Sequence, residues 1–215
     1  MDVLLNNLDL FVPGFLNTIK LFVISAVASL VLGTVLAMMR VSPVPVLRAA
    51  GATYVTLLRN TPLTLVFFFF VFAYPLLKIV ELSFFTAAVT ALSVYTAAFV
   101  CEVVRSGINT VPVGQAEAAR ALGLTFGQIL GQVILPQALR SVVPPLTSVM
   151  IALLKNTTVA AGFSVAEAGA ITPALSERGA NVLIGLLWIA VGFLILVVPL
   201  TLLQRSLEKR WSVAR

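Results

Sequence analysis

The sequence predicts an all-α integral membrane domain with about five transmembrane helices, and three observations carry that prediction. Of the 215 residues 60% are hydrophobic and only 10% are charged, whereas a soluble domain of this length needs roughly a quarter of its residues charged to face water. The mean hydropathy is +1.09. The apolar residues also gather into runs of about 20, the length at which a helix rising ~1.5 Å per residue crosses ~30 Å of hydrocarbon.

Taken in order, the first span is expected from about Pro13 to Met39, uncharged from Leu21 onward and closed by Arg40. Asp2 and Asp9 precede it in place of a basic cluster, and the apolar run is too long for a secretion signal, so it reads as an uncleaved span. The second ends near Leu77 and contains the uncharged run Asn60 to Leu77, with its start left open between Ala49 and Thr61. The third covers Leu82 to about Val104, the fourth about Ser141 to Ala161, and the fifth Ala180 to Leu203. Arg40 and Arg48 follow the first span, Arg105, Arg120 and Arg140 lie between the third and fourth, and Arg205, Lys209, Arg210 and Arg215 follow the fifth. Little beyond Lys78 and Arg178 lies on the other side, so the positive-inside rule places the N-terminus outside and the C-terminus in the cytoplasm.

Composition also excludes chemistry. The chain has no His and one Cys, Cys101, which removes a His/Cys metal cluster, a Ser-His-Asp or Cys-His pair and any intramolecular disulfide. The net charge of +6 comes from residues flanking membrane spans, and no nucleic-acid partner is expected. Residues 1–215 read as a single transmembrane domain. Five helices hardly enclose a transport path alone, so a partner chain or a second copy is expected.

The longest non-membrane stretch, residues 106–140, carries helix punctuation. Pro112 and Gly114 introduce Gln115 to Leu122, a run of strong helix formers ended by Gly123 in the manner of a left-handed C-terminal residue. Thr125-Phe126-Gly127-Gln128 matches a capping box and opens a second short helix through Val133, which Pro136 is expected to stop. The alanine-rich first helix has little side-chain bulk, and helix chemistry leaves two roles open: insertion into a cleft of another protein, or a cover over the membrane helices.

Pattern narrows these. Glu117-Ala118-Ala119, three residues, Gly123, nine residues, Val133, one residue and Leu135-Pro136 resembles the EAA loop of ABC importer permeases, with Val133 where that family usually has isoleucine. The resemblance extends to Asn17-Thr18-Ile19-Lys20-Leu21, Arg59-Asn60-Thr61-Pro62-Leu63, Tyr95 to Ile108, Pro112 to Ala121, Leu135 to Arg140, Pro144-Pro145-Leu146 and Lys155-Asn156-Thr157-Thr158, which are similar to the polar amino-acid permease family over about two thirds of the chain. Met39 to Pro43, Arg59 to Leu65 and Arg105 to Val111 look most like glutamate-uptake permease subunits of actinobacterial type.

The resemblance implies a type I ABC importer transmembrane domain in a bacterial cytoplasmic membrane. It implies that Glu117, Ala118, Ala119, Gly123, Leu135 and Pro136 form the coupling element. It further implies an ATP-binding partner subunit, a second similar permease subunit and an extracytoplasmic amino-acid-binding protein. The glycines Gly123, Gly127 and Gly131 have no following lysine and no phosphate-binding loop occurs, so ATP and Mg are expected on the partner and no cofactor on this chain.

Each ionisable side chain inside a span costs ~2.5 to 3.5 kcal/mol and needs a reason. Glu102 and Arg105, three apart, meet on one helix face either as a local ion pair or as part of the path lining. Arg59, Asn60 and Thr61 stand before the helix disruptor Pro62, either on a substrate path or at a simple helix end. Lys155, Asn156 and Thr158 are similar, with snorkelling of Lys155 as the alternative. The Phe67 to Phe70 run is read as packing or lipid-facing, and Ser164 to Glu167 as a capping box for a short outer helix. The function expected is import of a polar amino acid, glutamate first, with glutamine or arginine as alternatives and an ion-coupled carrier as the rival class.

Overall fold

The structure, a computed structural model of the chain, describes residues 2–211; Arg215 lies outside the described residues. Helices make the whole architecture among the described residues: α1 (Asp2–Leu5), α2 (Leu8–Val41), α3 (Pro45–Arg59), α4 (Leu63–Phe68), α5 (Phe84–Ile108), α6 (Val113–Ala121), α7 (Phe126–Gln128), α8 (Leu135–Asn156), α9 (Ile171–Glu177) and α10 (Val182–Trp211). Four helical runs are long and apolar enough to cross a membrane, and a bent pair, Pro45–Arg59 with Leu63–Leu77, makes a fifth.

The central helix is α5: 56% of its apolar window is buried inside the chain, against 11% for α10. Lipid tails are as apolar as leucine, so helices in a bilayer associate by close packing, which small residues permit. Ser25, Ser29 and Gly33 on α2 recur every fourth residue and are all buried, facing the alanines of α5, among them Ala91, Ala97 and Ala98. At Gly33 the approach is closest, for a Cβ there would lie 2.5 Å from Val100 Cβ and 2.8 Å from the Ala97 carbonyl oxygen. Arg40 at the end of α2 and Glu102 near the end of α5 make an ion pair, so these two helices run parallel.

The second crossing differs from a plain span. It is bent by 106° between α3 and α4, because Pro62 offers no backbone donor and disfavours helical geometry at Thr61. Asn60 Nδ2 donates to the Thr56 carbonyl and Thr61 Oγ1 to the Leu57 carbonyl, each at 2.8 Å, so the Thr61 hydroxyl serves the Leu57 carbonyl that the break frees, while the Thr56 carbonyl keeps the Asn60 backbone N–H as well. Beyond α4 the helix loosens into a π turn, Phe69–Ala73, and a 3-10 turn, Tyr74–Leu77. Of the phenylalanine run, Phe67 is fully buried and stacks on Phe163 with ring centroids 4.9 Å apart, while Phe68 and Phe69 are exposed.

Two sequence expectations are corrected. The Thr125 capping box forms, with its reciprocal bonds to Gln128, but Pro136 does not stop the helix that follows. α7 passes through a π turn, Ile129–Ile134, straight into α8, where Pro136 occupies the first turn, a position whose backbone donor is unneeded. The helix therefore runs unbroken from Phe126 to Phe163. Nor does Ser164 cap a helix: its φ of 61° is left-handed and it closes the 3-10 turn Thr157–Phe163. Glu167 is itself the cap, accepting the Gly169 N–H at the start of Ala168–Ala170.

That segment is sewn to α2 far from the loop. Asn17 Nδ2 donates to the Ala166 carbonyl at 2.8 Å. Thr18 Oγ1 donates to Glu167 at 3.1 Å and accepts the Ala168 N–H at 3.0 Å. Close by, Arg178 makes a two-pronged ion pair with Asp9 and donates to Asn7 at 3.0 Å.

Candidate functional site

Three guanidiniums from three helices converge on one carboxylate at the end of the bundle nearest α6. Arg105, one turn along α5, donates to Glu102 at 2.9 Å, as the three-residue spacing requires. Arg40 of α2 hydrogen-bonds the other carboxylate oxygen. Arg59, the last residue of α3, stands 3.8 Å from Glu102, within ion-pair but beyond hydrogen-bond range. It is the most exposed of the three, 48% against 17% for Arg40 and 32% for Arg105. Its guanidinium also lies over the Phe99 ring, 5.8 Å from the centroid, a cation–π distance. Arg105 Nε is buried with no hydrogen-bond partner. The cluster holds more donors than its single carboxylate can serve.

Two cavities adjoin it. One, of about 290 Å³, is lined by Arg59, Glu102, Ser106, Thr110 and Ser141 among others; Thr110 Oγ1 donates to the Gly107 carbonyl at 2.7 Å and lies 3.0 Å from the Ser141 hydroxyl. The other, of about 230 Å³, is lined by Tyr95, Thr96, Phe99, Ala152 and Asn156. Phe99 belongs to the second and carries the Arg59 cation of the first, so these two side chains stand at the partition between them.

Arg59 and Glu102, both expected on the path from the sequence, therefore meet, and Glu102 does pair with Arg105. Asn60 and Thr61 turn back onto the α3 backbone. Asn156 faces the α5 cavity, whereas Lys155 and Thr158 line a different space of about 490 Å³ against Phe193, Leu194 and Val197 of α10. One helical step separates neighbours by about 100°, so adjacent polar residues seldom share a face. Arg40 and the hydroxyls of Ser106, Thr110 and Ser141 escaped the sequence reading, because nothing in the chain order says that α2 and α5 end side by side.

The α6 loop is the second element of interest. Gly123 has φ 80°, its N–H bonds the Arg120 carbonyl at 3.0 Å and the Leu124 N–H bonds the Ala119 carbonyl at 3.2 Å. These are the two bonds of a Schellman ending, which needs a left-handed residue that glycine supplies without strain. Ala119 packs inward, while Glu117, Ala118 and Gly123 are exposed. Leu122 is 83% exposed, Phe126 74% and Val113 73%. Leu135 and Pro136 are exposed where α8 begins. Gln137 ties α8 to α6 by donating to the Gln115 side chain at 2.5 Å.

Residues 29–213 match the family described as the inner membrane component of binding-protein-dependent transport systems. The chain belongs to that family. The glutamate transport system permease protein GluC of Corynebacterium efficiens is 45% identical over 94% of each chain. The probable glutamine ABC transporter permease protein GlnM of Bacillus subtilis is 35% identical over 98% of this chain and 97% of its own. A crystal structure of an amino acid ABC transporter with histidines superposes with a TM-score of 0.89 at 26% identity, covering 96% of both chains. The protein is thus a multi-pass permease subunit of an amino-acid ABC importer and not an enzyme.

Proposed function

We propose that this permease translocates L-glutamate inward, driven by ATP that a partner subunit hydrolyses. The observation that carries the coupling is the surface of the α6–α7 loop: Val113 at the start of α6, Leu122 just after it and Phe126 at the start of α7 are left exposed around a glycine ending and a capping box. Exposed apolar side chains on polar, non-membrane helices mark an interaction surface. The partner is an ATP-binding subunit, and Glu117, Ala118, Ala119, Gly123, Leu135 and Pro136 form the coupling element. Because α7 is continuous with α8, a push on the loop is delivered to a membrane-spanning rod, and the attached spans tilt to reverse access.

Glutamate is supported by the excess of guanidinium over carboxylate at Glu102 and by the two glutamate transport permeases from Corynebacterium that share 45% of residues with this chain. Arg59, Glu102 and Asn156 line the path, with Asn60 and Thr61 shaping the break that lets Arg59 reach it. Lys155 and Thr158, which face α10, complete the lining once a second similar permease subunit packs alongside. An extracytoplasmic amino-acid-binding protein delivers the substrate, and the loop faces the cytoplasm.

The test is uptake of labelled glutamate into proteoliposomes containing both permease subunits, the ATPase and the binding protein. Uptake that needs internal ATP and is displaced by unlabelled glutamate in preference to glutamine or arginine is expected. Displacement by another amino acid reassigns the substrate, and accumulation without the ATPase overturns the coupling.

A further inference from the structure

We infer that Arg59 is the residue through which this permease reads a carboxylate on its substrate, and that Glu102 is a resident competitor for it. The inference rests on the glutamate reading above and adds the element of selectivity.

The argument starts from donors and acceptors. A carboxylate offers about four lone-pair sites on its two oxygens; Arg40 uses one on one oxygen and Arg105 one on the other, and three guanidiniums bring far more donors than the remaining sites can serve. Arg59 is held only at 3.8 Å, which keeps its charge near Glu102 without engaging its hydrogen atoms. A guanidinium has five N–H donors in a planar fork matched to a carboxylate, and among the described residues no hydrogen bond from Arg59 to a protein acceptor occurs. The orphaned Arg105 Nε points the same way: the cluster is short of acceptors.

Position supplies the rest. Arg59 ends α3 at the 106° break, so its side chain is not enclosed by a following helical turn, and it reaches the cavity that Ser106, Thr110 and Ser141 line with hydroxyls. The volume of about 290 Å³ lies at the lower end of small-ligand sites. With its face on Phe99, Arg59 stands where a solute leaves the Tyr95–Asn156 cavity and enters the hydroxyl-lined one. A carboxylate arriving from the first meets spare donors there, and the Thr110 and Ser141 hydroxyls, whose protons are directed to the Gly107 and Gln137 carbonyls, offer acceptor lone pairs to the rest of a polar solute. Glu102, already beside Arg59, sets how strongly the guanidinium holds that anion. Three cations facing one fixed carboxylate would bind a substrate anion too tightly for release were the competitor absent.

The experiment compares Arg59→Gln and Glu102→Gln in the assembled importer with its binding protein, measuring glutamate uptake and ATP hydrolysis in the same proteoliposomes. Loss of one charge-assisted contact predicts that Arg59→Gln imports about tenfold less glutamate per ATP, while hydrolysis stimulated by the loaded binding protein persists. Arg59→Lys, which keeps the charge, restores part of that ratio. Glu102→Gln is expected to lower both KM and kcat, the mark of a substrate held too long. If uptake and hydrolysis fall together in Arg59→Gln, or neither falls, Arg59 is structural and the inference fails. Should that variant not assemble, Glu102→Gln decides: an unchanged or raised KM overturns the inference. Wild-type importer that prefers a neutral or basic amino acid would overturn the glutamate reading itself, a result distinct from either variant outcome.

Discussion

Gly123 shows how little a single residue needs to touch in order to matter. A Cβ added there meets nothing within 4 Å, so its φ of 80° is the whole constraint, and Gly123→Ala is expected to cost about 1 kcal/mol locally. Membrane insertion and the melting temperature should therefore stay near wild type, while co-purification with the ATPase and coupled hydrolysis fall. Retained coupling in this variant would show that the loop ending does not face the partner. Glu167 is the opposite case, fully enclosed. Burial pushes its carboxyl up to about 7 from 4.5, against the hydrogen bonds from Gly169 and Thr18 that favour the charged form. The folded state thus takes up the proton more readily than the unfolded chain, so this contribution to stability is complete below pH 4.5 and is lost as the pH rises through about 7. The midpoint of thermal unfolding should decline between about pH 5 and pH 8 in the wild type and decline less in Glu167→Gln. An equal decline in both proteins would place the titrating group elsewhere. The role of Gly123 was legible in the sequence because a helix ending is local; that of Glu167 was not, since its hydroxyl partner lies 149 positions away.

Among the elements, the α2–α5 seam is the structural spine. The stripe of Ser25, Ser29 and Gly33 was present in the sequence, yet nothing in it named α5 as the facing helix. Gly33→Val would press two methyl groups into the space of Val100 Cβ and the Ala97 carbonyl. Overpacking of this kind costs about 1–3 kcal/mol, and because the atoms met are the branched Val100 Cβ and the Ala97 carbonyl oxygen, both fixed to the α5 backbone, the neighbour has little room to give. A melting temperature lower by several degrees checks it, and an unchanged one would mean that the seam slides freely. Pro62 and Pro136 illustrate why element boundaries resist prediction. Both remove a backbone donor, but Pro62 follows Asn60 and Thr61, whose side chains bond the Thr56 and Leu57 carbonyls, and the chain turns. Pro136 follows a π turn that shifts the register, and the helix continues.

At the level of the molecule, charge distribution and packing meet. Arg40, Arg105 and the α6 loop share one end of the bundle, and Asp9, Arg178 and Glu167 the other. Cysteines placed at Leu122 and at Glu177, both exposed, should react with an impermeant maleimide from opposite sides: Glu177→Cys in intact cells and Leu122→Cys only after lysis. The native Cys101 is buried and should stay silent. Reversed labelling would invert the topology and move the coupling surface away from cytoplasmic ATP. The wide apolar surface of α10, with Leu183, Leu187, Leu194 and Ile195 exposed, is left uncovered by the rest of the chain.

By itself the sequence determined that the chain is helical and lives in a bilayer, that it holds five apolar runs, though not how far the helices extend beyond them, as Phe126–Phe163 shows, and that residues 106–140 carry a capped, glycine-ended loop. Those properties follow from composition, run length and chemistry between near neighbours, which are written along the chain. Only the tertiary structure decided that Arg40 and Arg59 share Glu102 with Arg105, that Lys155 and Asn156 face different spaces, and that Thr18 holds Glu167. Such contacts join residues tens to more than a hundred positions apart, and they exist because parallel helices packed through small side chains bring distant ends together.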